Sequence, residues 1–332
     1  MQFTKLGSSG VQVSRIALGM GFRGQRDEAE ILNVVARALD AGVTFFDCAN
    51  IYGPGDDRAL AGRSEVLLGK ALGGRRDDLV ITSKFSGAVG AGVNDRGGSR
   101  YHIVREVERS LKRLGTDRID VYLMHSPDPE TPLEETVATL DLLVRQGKIL
   151  YWGLSNYSAW EACQALWVAD AGGWQMPAVL QNPYSLLNRK LESDLFEFAR
   201  RFGLGVMAYS PLAIGLLAGT YSEEGGAEAG ALWRDRLGDR LGEVLTDEVR
   251  RVKGEVDRIG KERKVTPAEV AIAWVLGNEA VSVAIAGPDR PEHLDDYVNA
   301  VGLSLEEGEL NALAGASQAT GSLIGEWQLP RV

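Results

Sequence analysis

The sequence predicts an α/β chain closed into a (β/α)8 TIM barrel, and three observations carry that expectation. Short runs rich in Val, Ile, Leu and Phe alternate with amphipathic segments, the mark of repeated βα units. Eight of these runs read as strands: Arg15–Leu18, Thr44–Asp47, Leu79–Lys84, Ile119–His125, Ile149–Ser155, Ala178–Asn182, Gly205–Ser210 and Val281–Ala286. No GxGxxG follows the first of them, as an open doubly wound sheet would be expected to carry. Barrels of this kind run to about 250 residues or more as one unit. Residues 1–332 are therefore read as a single domain.

Phe3–Val13 forms two short extended pieces around Gly-Ser-Ser-Gly, a hairpin ahead of the first barrel strand. In the third helix Val104, Val107, Leu111 and Leu114 recur at helical spacing and make a buried stripe. Thr131-Pro132-Leu133-Glu134 reads as a capping box with proline at the first helical position, and Gly147 as a stop. Leu133, Val137, Leu140 and Val144 then face the core. Thr266-Pro267-Ala268-Glu269 repeats the device before VAIAWVLG. After the seventh strand, Ala213–Lys264 is far longer than the usual βα link of about two to six residues. It is rich in Gly, Glu and Arg, with helical character from Asp247 to Glu262. A connection of that length at the catalytic face reads as a lid or binding loop; a surface excursion without a role is the plain alternative.

A hydrophobic fraction of 45% with 25% charged residues is ample for a large core. The net charge of −10 and the lack of long basic runs argue against nucleic-acid and anionic-membrane partners. Cys48 and Cys163 make no disulfide framework, and each is read as a small buried apolar residue. No apolar run reaches the roughly 18 residues of a membrane span, and MQFTKLGSSG is not a signal peptide. A cytoplasmic location is expected.

The chemistry concentrates at strand ends. TFFDCANIYG sets Asp47 and Tyr52 five residues apart, VITSKF supplies Lys84 and VYLMHS supplies His125. An acid, a phenol, an ammonium and an imidazole thus lie at or just beyond C-terminal strand ends, where such a barrel keeps its active site. Tyrosine is a poor acid at neutral pH, its ordinary pKa being about 10. It can protonate an alkoxide usefully only with a cation beside it. Taken singly, each residue has a plain reading: a strand-end cap, a solvated charge, a rim aromatic. The three histidines, His102, His125 and His293, show no metal-ligand spacing, so no metal is expected.

DCANIYG with RSEVLLGKAL, ITSKF, LKRLGTDRIDVYLMH, GLSN, LQNPYS, YSPLAIGLLAG and IAG…HL resembles the aldo-keto reductase superfamily over about residues 1–315. The likeness is to the branch with sugar and aldehyde reductases and potassium-channel β subunits. It implies that Tyr52 is the general acid in carbonyl reduction and the base in reverse. Lys84 would favour the charged phenolate, Asp47 would hold Lys84 by an ion pair, and His125 would orient the substrate carbonyl. It also implies NADP(H) or NAD(H). Ser155, Asn156 and Gln181 would pin the nicotinamide carboxamide, and Tyr209 would stack on its ring. Ser210, Pro211 and Leu212, then Gly215 and Leu217, would wrap the pyrophosphate, and Met20 and Gly21 would close the site near the nicotinamide.

At the adenosine end the chain departs from that branch. Gly287 is followed by Asp289, Arg290 and His293 where Ser or Arg and then Gln are usual, with Asp296-Tyr297 in place of Glu-Asn. Thr220 stands where Lys is common. An acidic Asp289 would repel a 2′-phosphate and accept from a free 2′-hydroxyl, whereas Arg290 could still grip the phosphate. Three activities remain open on these residues: a carbonyl or sugar reductase, an NAD-dependent sugar 1-dehydrogenase, and a slow-turnover redox-sensing subunit. Phe22, Phe85, Trp233 and Trp327 are the candidate substrate walls.

Overall fold

The structure, a computed structural model, describes residues 1–219, 221, 242–317 and 322. A short antiparallel hairpin, β1 (Phe3–Lys5) and β2 (Gln12–Ser14), precedes the barrel. The barrel strands are β3 (Ile16–Gly19), β4 (Phe45–Asp47), β5 (Val80–Phe85) and β6 (Ile119–Met124). They continue as β7 (Ile149–Ser155), β8 (Val179–Pro183), β9 (Gly205–Tyr209) and β10 (Val283–Ala286). Every neighbouring pair is parallel, and β10 closes the ring by pairing with both β9 and β3.

The helices begin with α1 (Glu28–Asp40), α2 (Arg63–Ala71), α3 (Arg100–Leu114), α4 (Leu133–Arg145) and α5 (Ala159–Gly172). They continue with α6 (Leu195–Phe202), α7 (Asp247–Arg263), α8 (Pro267–Gly277), α9 (Pro291–Ala300) and α10 (Glu307–Ser317). No helix among the described residues is long and apolar enough to cross a membrane.

Alternation along the strands separates two cores. Val121 and Leu123 of β6 point into the barrel with Ala17, Phe45, Met207 and Val283, while Tyr122 and Met124 point outward beneath the helices. Leu6 and Val13 of the hairpin belong to the inner cluster, so the hairpin plugs the N-terminal end of the barrel. Gly7 makes that plug possible. Its φ is +61°, and an added Cβ would lie 2.7 Å from the Gly203 carbonyl oxygen and 2.8 Å from that of Ala178.

All eight expected strands exist, with edges moved by one or two residues. Val281 lies in the turn before β10, where its N–H donates to the Asn278 carbonyl. Thr266 does cap α8, in a full capping box with Glu269. Thr131 does not cap α4: its hydroxyl donates to Asp128, 2.7 Å away, and Pro132 is the cap residue. On α3 the buried face carries His102, Ile103 and Glu106 besides Val107, Leu111 and Leu114, while Val104 is only half-buried. Cys48 is buried, but Cys163 is exposed on α5, contrary to expectation. The last third of the long connection is α7; Thr220 and Trp233 of that connection, and Trp327, lie outside the described residues.

Candidate active site

Register brings the four expected residues to one rim. Gly19 of β3 pairs with Asp47 of β4, and Asp47 pairs with Thr82 of β5. Lys84 lies two residues beyond Thr82 on the same face of β5. His125 follows the last residue of β6, and Tyr52 stands on the loop after β4.

The fully buried Lys84 ammonium is gripped from three directions. Its Nζ donates to Asp47 Oδ2 at 2.7 Å, to the Cys48 carbonyl at 2.9 Å and to the Tyr52 hydroxyl at 3.3 Å. Burial pulls the Lys84 pKa down, but the Asp47 carboxylate and then Tyr52 outweigh it and hold it above the ordinary lysine value. Lys84 is therefore a fixed cation at neutral pH. The other carboxylate oxygen of Asp47 accepts from Thr82 Oγ1 at 2.5 Å and from Gln181 Nε2 at 2.8 Å. Both oxygens of the buried Asp47 carboxylate are therefore hydrogen-bonded, as burial of such a group requires.

Tyr52 and His125 meet edge to face, with 5.6 Å between ring centroids. The Tyr52 hydroxyl lies 3.4 Å from His125 Nε2. Burial first, then the charges of Lys84, Arg23 and Arg58, push the His125 pKa well below its usual value. The ring is neutral at pH 7 and carries a single N–H. A phenol bound to an ammonium and a neutral imidazole thus face the same space, an arrangement able to donate two hydrogen bonds to one oxygen.

These groups open into a cavity of about 550 Å³. Its walls include Gly21, Asp47, Tyr52, His125, Ser155, Asn156, Gln181 and Tyr209. They continue along Ser210, Pro211, Leu212 and Gly215 to Gly287, Asp289, Arg290 and His293. Three expected residues lie behind that surface. Lys84 is buried beneath it, and the Met20 and Leu217 side chains are fully buried in the outer core. Of the expected substrate walls, Phe22 lines the cavity, whereas Phe85 is wholly buried against Tyr122 with centroids 4.9 Å apart.

The polar wall is ordered by its own hydrogen bonds. The Tyr209 hydroxyl donates to Asn156 Oδ1 at 2.7 Å, and Asn156 Nδ2 donates to the His125 carbonyl at 2.9 Å. Burial and then Tyr52 raise the Tyr209 pKa, so that phenol stays protonated. Backbone φ is positive at Asn156 (63°), Ser210 (53°), Ala213 (48°), Ile214 (57°) and Gly215 (87°). Runs of left-handed residues curve the chain into concavities that suit phosphate oxygens. The residues fit a dinucleotide: a cavity of ample volume, an amide-bearing wall beside the proton donors, and a curved backbone further along.

Sequence reasoning missed four contributors. Thr82 sits at i−2 from Lys84, so strand alternation alone places it beside Asp47. Arg23, Gly24 and Gln25 also line the cavity. Gly24 N–H donates to Asp289 Oδ1 at 3.1 Å, and Gln25 Nε2 to the Asp289 carbonyl at 3.1 Å. A Cβ at position 24 would collide with that carboxylate. No local signal in either segment points to this clasp.

The sequence profile of the Aldo/keto reductase family matches residues 15–318. A Bacillus subtilis protein named "Uncharacterized oxidoreductase YrpG" is 38% identical over 94% of this chain and 95% of its own length. A "Probable voltage-gated potassium channel subunit beta" of Arabidopsis thaliana is 36% identical over 91% of both chains. A "Putative voltage-gated potassium channel subunit beta" of Schizosaccharomyces pombe is 36% identical over 90% of this chain and 88% of its own. With a closed barrel, an acid–cation–phenol–imidazole rim and a profile match over nearly its whole length, the chain belongs to the aldo/keto reductase family.

Proposed function

We propose that the chain, working as one cytoplasmic catalytic unit, transfers hydride between a nicotinamide cofactor and the carbonyl or alcohol of an aldehyde, ketone or sugar. The observation that carries this is the Tyr52 hydroxyl, 3.3 Å from Lys84 Nζ and 3.4 Å from His125 Nε2 at the cavity wall. When bound, a nicotinamide dinucleotide supplies the hydride, for which no protein side chain can substitute. Tyr52 gives its proton to the carbonyl oxygen as negative charge develops there. Lys84, held in place by Asp47, keeps positive charge beside the resulting phenolate, and His125 donates a hydrogen bond that fixes the carbonyl. Ser155, Asn156 and Gln181 would hold the carboxamide, and Tyr209 would cover the ring.

The test is cofactor oxidation with a panel of aldehydes, ketones and aldoses, run with NADPH and with NADH. Steady turnover supports a reductase, and efficient oxidation of aldoses with NAD supports a sugar dehydrogenase. The relatives named as channel β subunits make a third result informative: tight cofactor binding with one slow turnover would favour a regulatory role. Failure to bind either cofactor would sink all three.

Asp289 is proposed to set the cofactor ratio. Burial raises its pKa, while Gly24 N–H, His293 and Arg290 draw it down. Near a 2′-phosphate at about 4 Å, a unit charge is worth about 4 kcal/mol at an effective dielectric near 20. Solvent screening reduces that to about 1 kcal/mol, or several-fold in affinity. Asp289→Ser is expected to tighten NADPH by several-fold and leave NADH equal or slightly weaker, read as dissociation constants from cofactor fluorescence. An unchanged NADPH/NADH ratio, with Arg290→Ala selectively weakening NADPH, would assign the ratio to Arg290 instead.

A further inference from the structure

Arg23 has no place in the hydride chemistry, yet it lines the same cavity wall as Tyr52, His125 and Tyr209. It sits on a loop fixed from both sides. Gly55 N–H donates to the Phe22 and Gln25 carbonyls, each at 2.9 Å, from the loop that carries Tyr52. On the opposite side Asp289 accepts from Gly24 N–H and Gln25 Nε2, and Phe22 is held at a left-handed φ of 38°. The backbone of so constrained a loop loses little entropy on meeting a ligand, which leaves only the freedom of the side chain itself to be lost.

Its charge is poorly matched within the protein. The Arg23 side chain is 27% exposed, and Asp56 approaches its Nε only to 4.0 Å, beyond hydrogen-bond distance. Among the described residues the Arg23 guanidinium makes no hydrogen bond. Its charge works, behind burial, to lower the His125 pKa and to temper the rise at Tyr209, side chains of the same cavity. In a chain of net charge −10, and in a cavity that Asp47, Asp289 and Asp296 also line, a guanidinium without a hydrogen bond is a local arrangement, not a bulk property.

We infer that the substrate is a carbonyl compound bearing an anionic group, a carboxylate or a phosphate, which the guanidinium of Arg23 receives while the carbonyl faces Tyr52 and His125. This rests on the reductase reading above. The planar fork of arginine suits both anions by paired hydrogen bonds.

The experiment compares kcat/KM for matched pairs: succinic semialdehyde against butanal for a carboxylate, and glyceraldehyde 3-phosphate against glyceraldehyde for a phosphate. At least one charged member is expected to lead its neutral partner by roughly 10- to 100-fold, the range for a hydrogen bond to a charged group. Arg23→Met should erase that lead, lowering kcat/KM for the charged member by that factor and for its neutral partner by far less, without weakening the cofactor, and Arg23→Lys should restore part of it. Added salt should narrow the lead. Equal use of charged and neutral aldehydes would overturn the inference and leave the reductase reading standing. Weakened cofactor binding in Arg23→Met, without a change in discrimination, would also overturn it by assigning Arg23 to the cofactor phosphates. Calorimetric titration of the cofactor complex with succinate against succinamide needs no turnover. No preference for succinate there, together with none for inorganic phosphate, overturns the inference even if every aldehyde proves inert, an inertness that would count against the reductase reading alone.

Discussion

Tyr52→Phe is expected to lower carbonyl reduction by about 10²–10⁴-fold, the range that general acid catalysis contributes, while cofactor affinity stays close to wild type. The change deletes one oxygen and little else. The ring remains to pack edge to face on His125, and Lys84 keeps its bonds to Asp47 and the Cys48 carbonyl, so its charge stays paired. Fold and the proposed cofactor wall should be untouched, because Ser155, Asn156 and Gln181 are held by contacts that do not include the Tyr52 hydroxyl. The loss should therefore appear in the single-turnover rate and not in the dissociation constant. Wild-type rates in this variant would remove Tyr52 from the proton path, and a matching loss of cofactor affinity would show that its oxygen serves binding.

Why the rim was legible in the sequence, and the clasp was not, follows from how barrels close. Asp47, Lys84 and His125 each end or follow a run of buried residues, and parallel registers bring such ends to one edge. Linear pattern therefore carries spatial information there. Contacts across the closing seam carry none: Gly24 and Asp289 meet only because β10 pairs with β3. Arg15 illustrates the same limit at the other end of the barrel. It reads as the start of a strand, but its guanidinium donates to the Leu276 and Val281 carbonyls at 2.9 and 3.0 Å, stapling α8 and its following turn to β3.

Buried polar residues escaped for a different reason. Glu65 and Glu106 look like solvated charges on α2 and α3, and both are fully buried. Glu65 accepts from Ser83 and Arg113 at 2.5 Å each, and Glu106 accepts from Asn50 at 3.1 Å and Arg109 at 2.8 Å. Hydrophobic periodicity assigns such positions to the surface, because their partners come from other elements. Thr131 failed as a cap for a related reason. The Thr-Pro-Leu-Glu pattern is present, but no capping box forms, because the hydroxyl donates to Asp128, three residues earlier.

Lys84→Met is expected to abolish turnover as fully as Tyr52→Phe and, unlike it, to destabilise the fold. The ammonium is wholly buried, and its removal strands the Asp47 carboxylate with Thr82 and Gln181 as its remaining donors. Breaking a buried ion pair from one side costs about 3–5 kcal/mol, because the surviving charge keeps its desolvation penalty. The sign of the pH dependence is set by the raised Lys84 pKa. A cation whose folded pKa exceeds the unfolded value stabilises fully below about 10.4, the ordinary lysine value. That contribution fades only as pH rises through the higher folded value. The wild-type pair should thus contribute undiminished across pH 6–9, and raising pH in that range should not rescue the variant. A double variant, Lys84→Met with Asp47→Asn, separates the two effects. Neutralising the stranded carboxylate at nearly the same shape should recover much of the lost stability in urea unfolding, while activity stays absent because no cation faces the Tyr52 hydroxyl. Activity returning with stability in the double variant would reduce Lys84 to a structural ion. A Lys84→Met enzyme that turned over with an unchanged pH profile would refute the account of the phenol and its cation.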